Sequence, residues 1–248
     1  MSGVIKDFAL AWRLLTVIPL PFVREDIERA AGRSVGYYPL VGLGLGLLLV
    51  GAYWLLHFLL PTNLTAALLL TLWAGLTGLL HLDGLMDSCD GLLPPRSPAR
   101  RLEIMKDSRV GAFGVVGAIL LLLLKYNALL ALPAPSTIPA LIVIPSLARS
   151  AMTWQMARYP LARREGLSVF FGQGLGRAQL LLAGLVAAAT AWLALGWLVG
   201  SVLLLLTWLG ATLLARFALA RLGGLTGDIY GATCEVIEVV LLMALLVI

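Results

Sequence analysis

Long apolar stretches broken by short polar ones set the rhythm of this chain. A hydrocarbon core of about 30 Å takes roughly 20 apolar residues of helix to cross. Seven windows meet that length, at approximately 36–60, 64–81, 110–131, 137–158, 178–198, 200–221 and 231–248. Only "GWLVGS" separates the fifth from the sixth, so those two fit one helical hairpin. The pattern predicts an all-α, polytopic membrane helix bundle of about seven transmembrane helices. It forms a single domain over 1–248, in which 1–34 is a cytoplasmic or interfacial N-terminal segment. Phe8, Trp12 and Leu15 share one helical face there, as expected of a helix lying on the inner leaflet. The run closes on "PLP" without a small-residue cleavage site and does not read as a signal peptide.

Composition excludes the soluble classes. Hydrophobic residues make up 60% of the chain and charged ones 12%, and mean hydropathy is +0.97. The net charge of +5 is modest, and its placement says more than its size. Basic residues fall in the N-terminal segment (Lys6, Arg13, Arg24, Arg29, Arg33), after the second window (Arg96, Arg100, Arg101, Lys106, Arg109) and after the fourth (Arg158, Arg163, Arg164, Arg177). The intervening connections "PTN" and "PAPST" carry no charge. By the positive-inside rule the N-terminus is cytoplasmic and the C-terminus lies outside. Asp83, Asp87, Asp90, Glu103, Asp107, Glu165, Asp228, Glu235 and Glu238 then fall at or near the cytoplasmic face, so the chemistry is expected there. Cys89 and Cys234 fall on the reducing side, and no disulfide is expected.

The densest chemistry is "HLDGLMDSCDG", 81–91. Asp83, Asp87 and Asp90 stand at i, i+4 and i+7, within an arc of about 60° on a helix. Crowded carboxylates repel unless a cation sits among them. Hard oxygen ligands suit Mg²⁺ or Mn²⁺, so these three are the candidate metal ligands. His81 points about 160° away from Asp83 on a continuous helix and reads as a packing residue.

Two further clusters accompany it. In "RRLEIMKDSRVGAFG", 100–114, Lys106, Ser108 and Arg109 are candidates for phosphate oxygens, and Asp107 for a base or further ligand. Membrane anchoring accounts for Arg100 and Arg101, and close helix packing for Gly111, Gly114 and Gly117. In "RLGGLTGDIYGATCEVIE", 221–238, a glycine-rich turn carries Asp228, and Glu235 and Glu238 follow on one helix face. Arg149, about nine residues inside its window, is expected to face the bundle interior and pair with an acid or a phosphate. Lys125 is expected to snorkel to the outer surface, and His57 to be inert. An acidic nest of this kind, rimmed by bases, suits transfer of a phosphate-linked group. Asp83, Asp87, Asp107 and Asp228 are its catalytic candidates. Lys106, Ser108, Arg109, Arg149, Glu235 and Glu238 are its substrate-binding ones.

The chain resembles the cobalamin synthase family, also called adenosylcobinamide-GDP ribazoletransferases. The likeness runs through "TVIPLP" (16–21), "YYPLVGLGLG" (37–46), "HLDGLMDSCDG", "RLEIMKDSRVGAFG", "YPLARREGL" (159–167) and "GGLTGDIYGATCEVIE" (223–238). It departs from the family pattern after Gly91, where "LLPPRSP" replaces a more glycine-rich continuation. The resemblance implies a Mg²⁺-dependent enzyme of the inner membrane. A ribose hydroxyl of α-ribazole, or of its 5′-phosphate, would attack the cobinamide-bearing phosphorus of adenosylcobinamide-GDP and expel GMP. It implies the lipid bilayer and these substrates as partners, no nucleic acid, and leaves a homo-oligomer open. Two other readings stay open. CDP-alcohol phosphotransferases share the D-x2-D-G of Asp87 to Gly91, but Pro94 and Pro95 stand where that signature has Ala-Arg. An ion-coupled transporter would use the intramembrane acids and Arg149 as a path.

Overall fold

The computed structural model describes residues 3–20, 27–163, 170–171 and 174–248. Arg24, Arg164 and Glu165 lie outside the described residues. The helices are α1 (Gly3–Leu15), α2 (Ile27–Ser34), α3 (Tyr38–Leu59) after a 3₁₀ turn, α4 (Thr62–Leu76), α5 (Leu80–Leu92), α6 (Pro98–Ile104), α7 (Ala112–Ala131), α8 (Ala134–Arg158), α9 (Arg177–Leu222) and α10 (Gly227–Ala244). The architecture is a polytopic membrane bundle. Among the described residues three stretches are long and apolar enough to cross a bilayer: Ala30–Leu59, Ala112–Ala131 and Arg177–Leu222. The bent pair α4 and α5 makes a fourth if it is taken as one span.

A straight helix of 46 residues would reach about 69 Å, but α9 doubles back. At Gly196 φ is 75°, a left-handed value that glycine adopts without steric cost. Trp192 Nε1 donates to Ser201 Oγ across the bend at 3.1 Å. Leu180, Ala183 and Ala187 of the first arm line a small cavity together with Leu204 and Thr207 of the second. The expected hairpin is therefore present. Its outer surface exposes Leu193, Trp197, Leu198, Leu205 and Leu213, as α3 exposes Trp54, Leu55 and Phe58. Apolar surface on this scale needs lipid to cover it.

The second window does not run straight on into the carboxylates. Gly78 and Leu79 both take left-handed conformations, with φ of 60° and 61°, and α5 leaves α4 at 86°. The three aspartates ride on a separate helix turned off the axis of the span. α1 exposes Val4 and Ile5 and buries its other face. It packs on α2 and α3, with Trp12 closing over Gly44, and Asp7 pairs with Arg33 at 3.0 Å.

α8 and α10 are the least uniformly apolar of the long helices because they lie inside. α3 approaches α8 through glycines: a Cβ at Gly42 would meet Pro145 O at 2.3 Å, and one at Gly46 would meet Leu141 O at 2.5 Å. Gln155 on α8 donates to Ala211 O of α9 at 2.9 Å and to Thr233 Oγ1 of α10 at 2.8 Å.

At the centre four charges meet. Arg149 of α8 pairs with Glu238 of α10 at 2.6 Å. Lys125 of α7 pairs with Glu235 at 3.1 Å and also with Glu238. Lys125 does not snorkel: its side chain is 2% exposed, and its ammonium lies 4.4 Å above the Trp73 ring. Trp73 Nε1 donates to Glu238 at 3.2 Å. The reason is that ion pairing inside the bundle satisfies a charge which would otherwise have to reach the interface.

Removing one member leaves a buried charge uncompensated, at a cost of about 3–5 kcal/mol. Glu238→Leu should therefore sharply lower the thermal unfolding midpoint in detergent micelles. The double variant Glu238→Leu with Arg149→Leu leaves Lys125 with Glu235 and should recover much of the loss. A single variant as stable as the parent would contradict the ion-pair account.

Candidate functional site

α3, α7 and α10 begin, and α8 ends, at one end of the bundle, and the acidic cluster lies there. Two main-chain bonds tie the "YPLAR" stretch to the "GGLTG" turn: Leu225 N donates to Pro160 O and Ala162 N to Leu225 O, both at 2.8 Å. Gly224 is required by this approach, since a Cβ there would meet Ala162 N at 2.4 Å. The pairing carries Arg163 to the start of α10. There Thr226 caps the helix, accepting from Ile229 N and donating to Asp228 Oδ2 at 3.0 Å. α5 meets α10 at a second glycine contact. A Cβ at Gly84 would stand 2.8 Å from Asp228 O, and one at Gly231 would stand 3.2 Å from His81 O. Asp228 is thereby held beside the Asp83 and Asp87 turns.

Between these elements lies a cavity of about 340 Å³, lined by Asp83, Asp228, Arg163, His81 and Thr226, with Tyr38, Tyr230 and Phe171. Asp83 is exposed and Asp87 half-buried, and neither has an ion-pair partner among the described residues. Burial, then the carboxylates of Asp228, Asp83 and Asp90, push the Asp87 carboxyl up to about 7, with Arg163 opposing. Burial likewise raises that of Asp228, with Asp83 adding to it and Thr226 and Arg163 opposing. Arg163 Nη2 donates to Leu102 O at 2.7 Å, and its Nε is buried without a partner.

Asp90 shares the helix face with Asp83 and Asp87, but its surroundings differ. Its carboxylate accepts from Gly111 N at 2.8 Å and from Gly114 N at 2.9 Å, which fixes the first turn of α7. Cβ atoms at Gly111 and Gly114 would meet that carboxylate at 2.3 and 2.5 Å, and one at Gly117 would meet Cys89 Sγ at 2.7 Å. Close packing is indeed what these glycines allow. Among the described residues no three His, Cys, Asp or Glu side chains form a preassembled metal site.

Several other candidates stand apart from the cavity. Asp107 and Arg109 close on each other at 2.6 Å, with the Arg109 side chain 87% exposed. That hydrogen bond holds the Asp107 carboxyl down at about 2. Lys106 and Ser108 are exposed beside them. Arg149, Glu235 and Glu238 do not line the cavity either. They belong to the central ion-pair network, where their opposite charges offset one another, and that removes the main support for an ion path. Arg101 is no simple anchor. It is buried and donates to Arg96 O at 2.9 Å and Gly91 O at 2.8 Å, and also to Leu92 O, which closes the end of α5. Arg163 and the cavity aromatics are not among the residues expected at the site. Arg163 sits inside the "YPLARREGL" stretch, where its charge reads as one of several inside-facing bases. Cys89 and Cys234 are free.

The fold and site define an integral membrane protein with an acidic cleft at one end of a helix bundle. Residues 7–246 match the family model described as Cobalamin-5-phosphate synthase. The chain belongs to that family. It is 40% identical over 245 residues to an adenosylcobinamide-GDP ribazoletransferase of Geotalea daltonii, covering 99% of this chain and 98% of the relative. It is 43% identical to the one from Desulfitobacterium hafniense, over 94% of each chain. Identity to that of Stutzerimonas stutzeri is 44%, over 95% of this chain and 96% of the relative. No solved structure matches the chain.

The contrast among the three aspartates is measurable. Asp90→Asn removes an acceptor and leaves an N–H of Gly111 or Gly114 unpaired, at about 1–3 kcal/mol. Its unfolding midpoint should fall. Asp87→Asn relieves like-charge repulsion, and without divalent cations its midpoint should equal or exceed the parent's. The reverse order would overturn the distinction.

Proposed function

We propose that the protein transfers the adenosylcobinamide-phosphate group of adenosylcobinamide-GDP to a ribose hydroxyl of α-ribazole or its 5′-phosphate. The bond from that phosphorus to the GMP oxygen breaks as the new phosphate ester forms, and GMP leaves. The observation that carries the reading is the meeting of Asp83, Asp228 and Arg163 around one cavity, with Asp87 beside them. The names of the relatives agree with it.

Each group has a task within this proposal. Thr226 occupies Asp228 Oδ2, and the other oxygen takes the proton from the attacking hydroxyl. Arg163 keeps an N–H without a partner, and it holds the phosphate and its developing charge. Asp83 and Asp87 would hold Mg²⁺. The donor set fits this ion, because uncompensated carboxylates favour a hard cation, and Mg²⁺ binds through one or two carboxylates with water and phosphate filling the rest. When bound, the ion neutralises phosphoryl charge. Seven crossings with the N-terminus inside would place the cavity on the cytoplasmic face of the inner membrane, the side to which the basic residues after the second and fourth apolar windows point.

Purified protein given Mg²⁺, adenosylcobinamide-GDP and α-ribazole should release GMP. Arg163→Ala removes a charge-assisted contact of about 1.5–3 kcal/mol, so turnover should fall about tenfold or more. Arg109→Ala, outside the cavity, should have a smaller effect. Folded protein that releases no GMP would refute the assignment.

A further inference from the structure

The cavity has two unlike walls. α5, α10 and the stretch at Arg163 bring the carboxylates, the guanidinium and His81, whose Nε2 is buried without a partner. The facing wall comes from α1, α3, α8 and Phe171, and consists of Leu14, Leu15, Tyr38, Met152, Met156 and Phe171. Tyr38 and Phe171 meet edge to face with ring centroids 6.5 Å apart. On this wall the Tyr38 hydroxyl is the one strong side-chain hydrogen-bonding group. The methionines are soft enough to follow the outline of a flat ring and make favourable sulfur contacts with it.

About 340 Å³ is the room of a single small ligand. It suffices for one nucleoside and is far too small for a corrinoid. We infer that this cavity is the acceptor subsite, taking a ribonucleoside with an apolar aromatic base. The base lies against Tyr38, Met152, Met156 and Phe171, and the ribose faces Asp83 and Asp228. The corrinoid donor stays outside, presenting only its phosphate to the acidic wall. This rests on the transferase reading and adds which substrate enters.

The test is steady-state kinetics of the full-length protein in micelles with Mg²⁺, varying each substrate in turn. Met156→Trp fills the apolar side, and Met156→Leu keeps its volume. Met156→Trp should raise the KM for α-ribazole about tenfold or more and leave that for adenosylcobinamide-GDP within about twofold. Met156→Leu keeps the space but loses the sulfur contact, so its KM for α-ribazole should lie between those of the parent and Met156→Trp. A rise confined to the donor KM, or equal in both, overturns the subsite. Equilibrium dialysis of labelled α-ribazole against the parent protein keeps the test open if the Trp variant does not fold. Unlabelled α-ribazole should displace the label and adenosylcobinamide-GDP should displace little of it, and displacement by the donor as effective as by α-ribazole overturns the subsite. Parent protein that binds α-ribazole without displacement by the donor yet releases no GMP contradicts the transferase reading and supports the subsite. GMP release with a donor-only KM effect contradicts the subsite alone.

Discussion

Two cations and two carboxylates lie out of reach of water in the middle of an apolar bundle, and each must keep an opposite charge within hydrogen-bond distance. That demand couples α7, α8 and α10 through Lys125, Arg149, Glu235 and Glu238. It leaves α10 little freedom to slide or rotate. Because Asp228 sits at the start of the same helix, three turns from Glu238, the position of a site carboxylate is set by pairing deep in the bundle. The glycine contacts at Gly84 and Gly231 then bring α5 against α10.

The opposite arrangement holds at the end of the bundle. Where the centre of the bundle sets two cations against two carboxylates, the site leaves Asp83 and Asp87 without ion-pair partners among the described residues and crowds Asp228 toward them. A protein selected for stability alone would relieve this repulsion, and functional sites commonly retain such strain. Asp90 shows the difference within one helix. It faces the same way as its neighbours, yet it serves the fold by holding the start of α7 through two backbone N–H groups.

Much of the fold was legible because lipid demands long apolar helices, and the hairpin of α9, the packing glycines and the acidic helix all follow from spacing. What escaped has physical causes. The turn at Gly78 and Leu79 depends on a leucine in a left-handed conformation, which no local signal announces. Lys125 looked like a snorkelling residue because its partners lie 110 and 113 positions away. The same distance in sequence hid Glu235 and Glu238 as structural residues and made them look like parts of a site. Lys106, Ser108 and Arg109 had the right chemistry for phosphate but sit outside the cavity, with Arg109 turned onto Asp107. Arg163 reached the site through a two-bond main-chain pairing that periodicity cannot show.

The central proposal is that Asp83 and Asp87, which have no ion-pair partner among the described residues, hold a divalent cation beside a phosphate. Mn²⁺ reports this directly, since its free six-line electron paramagnetic resonance spectrum fades on binding. In full-length protein without substrate, the parent should take up Mn²⁺ and Asp87→Asn should weaken that uptake by about tenfold or more, because affinity follows the number of charged ligands. Asp107→Asn should leave it unchanged. Equal Mn²⁺ uptake by the parent and Asp87→Asn would contradict the account.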